Sequence, residues 1–336
     1  MDRHQERAGL GFATLCVLAG AFVPAFAKLT TGRVDALSVA ALTSAFAALA
    51  AATWLGASGE LGALFAREQR ARLALVGALG TAATGLLFFE GARRTSAIDV
   101  ALCLQAESAY SLVLARLFLG HRMTLRRVGS VGVLLLGIAL AVEGSGVGAS
   151  LGVALLLATP LCWQISHLVV LRGLAGVRPR VLAGARYLYG GALLLALWLA
   201  RGGPAQDLPA DAWGSLLASL ALQGVVLSFF GTLVWYETIA RLDLARATAI
   251  VVPSIPLVSL AATFALVGEI ASPRQAAGLA LVAGGVLAFV TAPHAPGSGA
   301  ARATATGAPA APPAATTGRG GPPAPRPRAR AAPDRR

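Results

Sequence analysis

Apolar runs separated by short polar or basic links set the pattern of this chain. Ten of them, over residues 10–28, 34–55, 73–91, 95–120, 128–142, 151–171, 181–200, 213–239, 243–268 and 275–290, read as helices. At about 1.5 Å of rise per residue they fit a hydrocarbon layer of about 30 Å, the shortest with help from their flanks. The predicted fold class is an all-α polytopic membrane protein with ten transmembrane helices.

The fourth run, TSAIDVALCLQAESAYSLVLARLFLG, stands out because it is polar along one line. Asp99, Cys103, Glu107 and Ser111 recur at i, i+4 with Tyr110 beside them, a stripe down one helix face. A carboxylate at mid-bilayer depth is costly unless it meets water or a partner, so the stripe is expected to line an internal pathway. Glu107 is the residue expected to bind a cationic group of the solute or to carry a coupled proton, with Tyr110 and Ser111 beside it. The ninth run is a second version: laying Gly120 on Gly268, an offset of 148, puts Pro253 and Pro256 where the first version has Gln105 and Ser108. Phe89-Glu90 matches Tyr236-Glu237 at an offset of 147, and each fourth run is followed by a glycine-punctuated helix. The chain therefore divides into a first repeat over 1–143, a linker over 144–150, a second repeat over 151–291 and a tail over 292–336. Five spans per repeat is an odd number, so the second is inserted upside down relative to the first, the geometry of carriers whose site lies between repeats. Pro253 and Pro256 would break or flex the ninth helix beside that site.

Other polar positions are fewer. The sixth run holds Pro160, Trp163, Gln164 and His167, of which Trp163 and Gln164 are candidate solute contacts and His167 is expected to be a hydrogen-bonded structural group. Gln223 is the strongly polar residue of the eighth run and the last of the candidate contacts. Tyr187 and Tyr189 look like an interfacial aromatic belt, and Glu90, close to Arg93 and Arg94, is expected to be paired. Ala25-Phe26-Ala27 would pass as a leader-peptidase site, but removing the first run would leave nine spans, so it is expected to stay.

Composition sharpens this. The 336 residues are 56% hydrophobic and 13% charged, against about 25% charged in soluble domains. Mean hydropathy is +0.71. A net charge of +13 would suggest nucleic acid in a soluble protein, but seven basic residues fall in the Pro/Ala/Arg-rich tail and most others in short links, so nucleic acid is not an expected partner. The tail has no apolar face and is expected to be disordered. Cys16, Cys103 and Cys162 lie singly in apolar runs and read as buried thiols, not metal ligands. No GxGxxG unit precedes a nucleotide-binding pattern and the one lysine is Lys28, so no cofactor is expected. HExxH is absent, which argues against an enzyme.

Taken together, the ten spans, the two repeats, Gly120-His121 and Gly268-Glu269 at the ends of the fourth helices, the glycine-rich last helices and the GVALLLATPLCWQISHLVVLR stretch resemble the EamA-type carriers of the drug/metabolite transporter superfamily. The family often has Glu where His121 stands, and Pro in the fourth helix where Gln105, Glu107 and Ser108 stand. The resemblance implies a secondary carrier of small metabolites or drugs in the inner (plasma) membrane, an exporter working by alternating access, with a cavity lined by the first, third, fourth, sixth, eighth and ninth helices. Its expected partners are a small-molecule solute, the bilayer and a coupled proton, as monomer or homodimer; the alternative is a membrane scaffold or receptor-like protein without transport. Alternate links carry 13 Lys and Arg on one side against 6 on the other, which places both termini in the cytoplasm. A thiol introduced at Ser145 should therefore be labelled from outside intact cells and one at Ser298 should not; the reverse would overturn the inverted arrangement.

Overall fold

A computed structural model describes residues 3–119, 123–142, 147–174, 176–206, 208–242 and 244–292. Gly120, His121, Arg122, Glu143, Asp243, residues 144–146 of the linker and the tail beyond Ala292 lie outside the described residues, as do the expectations that rest on them. Among the described residues ten helices are long and apolar enough to cross a membrane: α1 (Glu6–Thr31), α2 (Ala36–Ala57), α3 (Arg70–Arg94), α4 (Ala97–Phe118), α5 (Leu125–Val142), α6 (Ser150–Gly173), α7 (Pro179–Ala200), α8 (Ala210–Trp235), α9 (Ile250–Val267) and α10 (Pro273–Thr291). Leu49, Leu117, Leu136, Leu199 and Phe264 are each at least 60% exposed, side chains that only a lipid surround would stabilise.

The helix ends follow local chemistry. Asp35 caps α2, its Oδ1 accepting the Ser38 N–H at 3.1 Å, and Ser96 caps α4 by accepting the Asp99 N–H at 3.0 Å. Ser272 and Gln275 form a capping box at the start of α10. Glu269, just before it, accepts the Ala97 N–H at 2.8 Å, and Gln275 Nε2 donates to Asp99 Oδ1 at 3.0 Å, so one loop of the second repeat secures the start of α4. Asp99 is thus part of a helix-end lock, and Cys103 is fully buried, so the upper half of the expected polar stripe faces protein and not a pathway. Lysine and arginine close carboxyl ends in turn. Lys28 Nζ donates to the Thr95 carbonyl after α3, and Arg172 Nη2 to the Phe118 carbonyl at the end of α4, 2.5 Å away. Glu90 pairs with Arg93 and Arg94 at 2.7 and 2.6 Å, as expected.

The repeats exchange helices. α1 packs on α8 and α9 of the second repeat, and α6 packs on α3 and α4 of the first, while α2 lies against α7 and α5 against α10. The α5–α10 contact is isologous. A Cβ on Gly137 would stand 2.7 Å from the Gly278 carbonyl and 2.8 Å from the Val282 nitrogen; one on Gly285 would stand 2.9 Å from the Ser130 carbonyl and 2.8 Å from the Leu134 nitrogen. Shifting Ser130, Leu134 and Gly137 by 148 positions gives Gly278, Val282 and Gly285, so the same small-residue contact is made twice about one two-fold axis. A second pair agrees: Gly77 of α3 meets Gly190 of α7, and Gly224 of α8 meets Thr43 of α2, each related by 147.

Three helices are irregular inside. α3 is π-helical over Ala78–Ala83 and α8 over Leu222–Phe230, at matching places in the two repeats, and α4 tightens to a 3₁₀ turn over Leu104–Ala106 just before Glu107. α9 is not among them. Its helix runs unbroken over Leu244–Val267 with Pro253 and Pro256 inside, which corrects the expected break. Each proline removes one N–H from the ladder, and the turns on either side hold; the Ser254 hydroxyl donates to the Ile250 carbonyl at 2.6 Å within this segment.

At one end of the bundle a polar network joins α2 to α7. Asp35 meets Arg201 at 2.8 Å and accepts the Ala205 N–H at 3.0 Å, while Trp198 Nε1 donates to Ser38 Oγ at 2.8 Å. Asp35, Glu90, Arg93, Arg201 and Gln206 line a cavity of about 500 Å³ there. Burial works against the Asp35 charge, but Arg201, the Ala205 N–H and the Ser38 hydroxyl and N–H outweigh it and hold the carboxyl well below the usual range.

Two outcomes follow for detergent-solubilised protein. Gly137→Val should cost about 1–3 kcal/mol by overpacking, seen as a lower melting temperature, whereas Gly132→Val on the same helix, with nothing within 4 Å, should be neutral. Asp35→Ala should cost about 1 kcal/mol as a lost cap, a difference that stays flat from about pH 5 to 8. A lowered carboxyl stabilises above its unfolded pKa of about 3.9, so the deficit should shrink only as pH falls through more acid values.

Candidate functional site

Glu107 follows the 3₁₀ turn near the middle of α4, and its Oε1 accepts a hydrogen bond from Gln164 Nε2 of α6 at 2.8 Å. This contact crosses from one repeat to the other and unites two of the predicted residues. Glu107 is only half-buried although protein surrounds it, and one turn along α6 His167 is exposed in the same interior setting. His167 makes no hydrogen bond to a described residue, contrary to the structural role expected for it. Tyr110, Ser111 and Trp163 are half-buried near the pair in sequence, Ser111 Oγ donating to the Ser108 carbonyl at 2.9 Å. Gln223 is elsewhere. It is 2% exposed in the π-helical segment of α8, packed on α1 and α2, with the Thr30 hydroxyl at 3.5 Å. Pro253 is half-buried and Pro256 buried in α9.

The residue that sequence reasoning missed is Arg186, in the apolar seventh run. Its Nη2 donates to the Gly80 carbonyl at 2.7 Å, inside the π-helical segment of α3. π-Helical winding disturbs the i→i−4 ladder and leaves carbonyls seeking donors; here the neighbouring Leu79 carbonyl accepts from Thr84 Oγ1 at 2.7 Å and Gly80 accepts from Arg186. A Cβ on Gly80 would stand 2.7 Å from Ser166 Oγ and 3.1 Å from Arg186 Nε, so glycine is what lets α6 and α7 converge there. The guanidinium acts electrostatically on both Glu107 and His167. The next residue, Tyr187, does the same service for the other π-helical segment, donating to the Ser228 carbonyl at 2.9 Å, while the Tyr189 hydroxyl reaches the Leu64 carbonyl at 2.8 Å. Both tyrosines are internal ties and not the expected interfacial belt; Tyr187 is 8% exposed. A signal was present: an arginine inside an apolar run long enough to span is costly, and such residues mark function or a partner.

The two members of the symmetric helix pair differ. Under the 148-residue shift Glu107 corresponds to Ile255, which sits against Gly20 of α1 so closely that a Cβ there would be 2.9 Å from Ile255 Cδ1. The α9–α1 contact is thus close and apolar, and the α4–α6 contact is looser and polar.

Comparison with known proteins agrees with this architecture. The profile of the EamA-like transporter family matches residues 7–142 and again 150–291. A probable terminal-alkyne amino-acid exporter of Streptantibioticus cattleyicolor is 30% identical over 284 residues, covering 82% of this chain and 90% of that protein. A protein crystal structure superposes with a TM-score of 0.59 at 18% identity, over 84% of this chain and 96% of that one, a likeness of fold. With the family profile spanning both halves of a ten-helix bundle built on an internal two-fold axis, the chain belongs to the EamA-like transporter family.

Proposed function

We propose that this protein is a secondary transporter that exports a small amphiphilic, amino-acid-like solute by alternating access, from a cavity between the repeats centred on Glu107. The observation that carries this reading is the Glu107–Gln164 hydrogen bond: a carboxylate near mid-span, tied by a neutral amide to the other repeat at the looser of two symmetry-related helix contacts. A membrane carboxylate in that position supports recognition of a cationic group, or carriage of a coupled proton, because the low-dielectric surround strengthens any charge that replaces water. The exporter named above supports the direction and the amino-acid character of the solute.

The packing also supports a conformational reading. The first half of α4 lies against α1, α5, α6 and α9, whereas its second half from Glu107 onward packs chiefly on α6. A bundle closed at the Ala97 end and looser at the other is one half of an alternating-access cycle. With the basic links and both termini in the cytoplasm, the closed end faces out and the cavity opens inward, as an exporter loading its solute would require. Rocking α4 and α6 apart would break the Glu107–Gln164 bond, so release of the solute and of this tie are coupled.

Reconstituted into proteoliposomes, the protein should show counterflow of labelled amino acids or amines that depends on pH. Glu107→Gln, which keeps shape and removes the charge, should lower that flux at least tenfold and abolish its pH dependence. Unchanged, normally pH-dependent flux from a monodisperse Glu107→Gln protein would overturn the assignment of the site.

A further inference from the structure

Glu107 and Arg186 are opposite charges within the membrane-spanning region that the fold keeps from meeting. No ion pair joins them within 4 Å, and no carboxylate among the described residues pairs with Arg186. Each is held instead by a neutral group, Glu107 by the Gln164 amide at 2.8 Å and Arg186 by the Gly80 carbonyl at 2.7 Å. In a low-dielectric surround, uncompensated opposite charges at close range attract strongly, so holding them apart leaves an unfilled electrostatic gap. Gln164 and Ser166, which mark the two ends of the gap, are neighbours on α6 less than one turn apart. The two charges therefore lie at one level of the bundle, near enough for the guanidinium to act on the Glu107 carboxyl.

Arg186 also keeps donors in reserve. One amino group is used on Gly80, Nε is buried with no hydrogen-bond partner, and Nη1 makes no hydrogen bond to a described residue. A planar guanidinium with an unused edge is shaped for a carboxylate. Packing alone does not ask for a cation there, since the 147-residue shift that maps Gly190 on Thr43 maps Arg186 on Val39, a fully buried apolar residue in the matching helix α2, and the tie to Gly80 uses only one of its donors.

We infer that Arg186 is a carboxylate-binding residue of the solute site, and that with Glu107 it forms a two-point clamp selecting zwitterions: the solute's ammonium group goes to Glu107 and its carboxylate to Arg186. This rests on the transporter reading and adds to it a second binding residue and a charge pattern for the solute. The clamp rejects both partial ligands by the same physics. An amine without a carboxylate leaves Arg186 uncompensated, and an acid without an amine leaves Glu107 uncompensated, each a cost in a desolvated site.

The test is a binding and counterflow series on full-length protein with three probes of one chain length: L-norvaline, its methyl ester, which keeps only the positive charge, and pentanoate, which keeps only the negative one. The wild type should bind norvaline at least tenfold more tightly than either. Arg186→Gln should weaken norvaline at least tenfold without weakening the methyl ester, and Glu107→Gln should weaken norvaline without weakening pentanoate. Arg186→Lys, which keeps the charge but loses the fork, should fall between and serves as the folded variant should Arg186→Gln not fold. Equal affinity of the wild type for norvaline and its ester, no affinity for norvaline, or full norvaline affinity in a folded Arg186→Gln protein would each overturn the clamp. Glu107-dependent counterflow of an amine lacking any carboxylate, with none of norvaline, would sink the clamp and leave the transporter reading standing; no counterflow of any probe, amine or amino acid would sink both.

Discussion

In hydrocarbon an unpaired backbone carbonyl has no water to turn to and costs several kcal/mol, so every departure from regular helix must be answered by a donor from elsewhere. α7 supplies two such donors from adjacent residues. Arg186 answers the π-helical segment of α3 and Tyr187 answers that of α8, so one helix ties together the irregular turns of both repeats. Because residues i and i+1 point about 100° apart, the two ties fix the rotation of α7 as well as its position. The donors that close helix ends follow the same logic, with Lys28 at the end of α3 and Arg172 at the end of α4. Lys28 and Arg172 are thus doing backbone work, while Arg186 ties a backbone carbonyl with one donor and leaves others unused.

The internal symmetry explains which contacts are architectural. Contacts that recur under the repeat shift, Gly137 with Gly278 and Gly285 with Ser130, or Gly77 with Gly190 and Gly224 with Thr43, bring backbones together with small residues and carry no chemistry. They lie in the α5–α10, α3–α7 and α2–α8 contacts. Elsewhere α1 packs on α8 and α9, and α6 on α3 and α4, and there Glu107 and Ile255 make the matching contacts unlike.

Span number, repeat relation and the polarity of the fourth helix were legible in the sequence because each depends on many residues or on a strong cost. Glu107 and Gln164 could be picked singly for the same reason, an amide or carboxylate at depth being expensive, although only the structure joins them. Other features turned on local detail that pattern does not carry. Asp99 sits at i, i+4 from Cys103 and Glu107, but Ser96 and Gln275 claim it for a helix end; the Ser96-x-x-Asp99 and Ser272-x-x-Gln275 spacings held that information. Pro253 and Pro256 suggested a break that the helix absorbs, since proline removes one donor and not the whole turn, whereas the breaks that do occur, at Ala78–Ala83 and Leu222–Phe230, contain no proline. Nothing in composition distinguishes a π-helical turn from an α-helical one. It is readable only through the side chain that satisfies it, and that side chain lies about a hundred residues away in sequence, Arg186 for Gly80.

The two charged groups of the interior share one further property. Glu107 stands where the other repeat has Ile255, and Arg186 where the other has Val39, and in both cases the apolar counterpart is fitted tightly into a helix contact. A duplicated fold offers its own control experiment: the position is filled twice, and the apolar version shows what packing alone asks for. What packing asks for here is aliphatic bulk. Replacing it by a carboxylate on α4 and by a guanidinium on α7 adds desolvation cost at both places, with no ion pair between the two to offset it. The Gly80 tie accounts for one donor of Arg186, but helix packing gives no reason for the charge of either residue. Under the proposed reading, a cost borne at two positions of opposite sign is what a zwitterionic solute would offset on binding, which would tie the breaking of symmetry in this bundle to its solute.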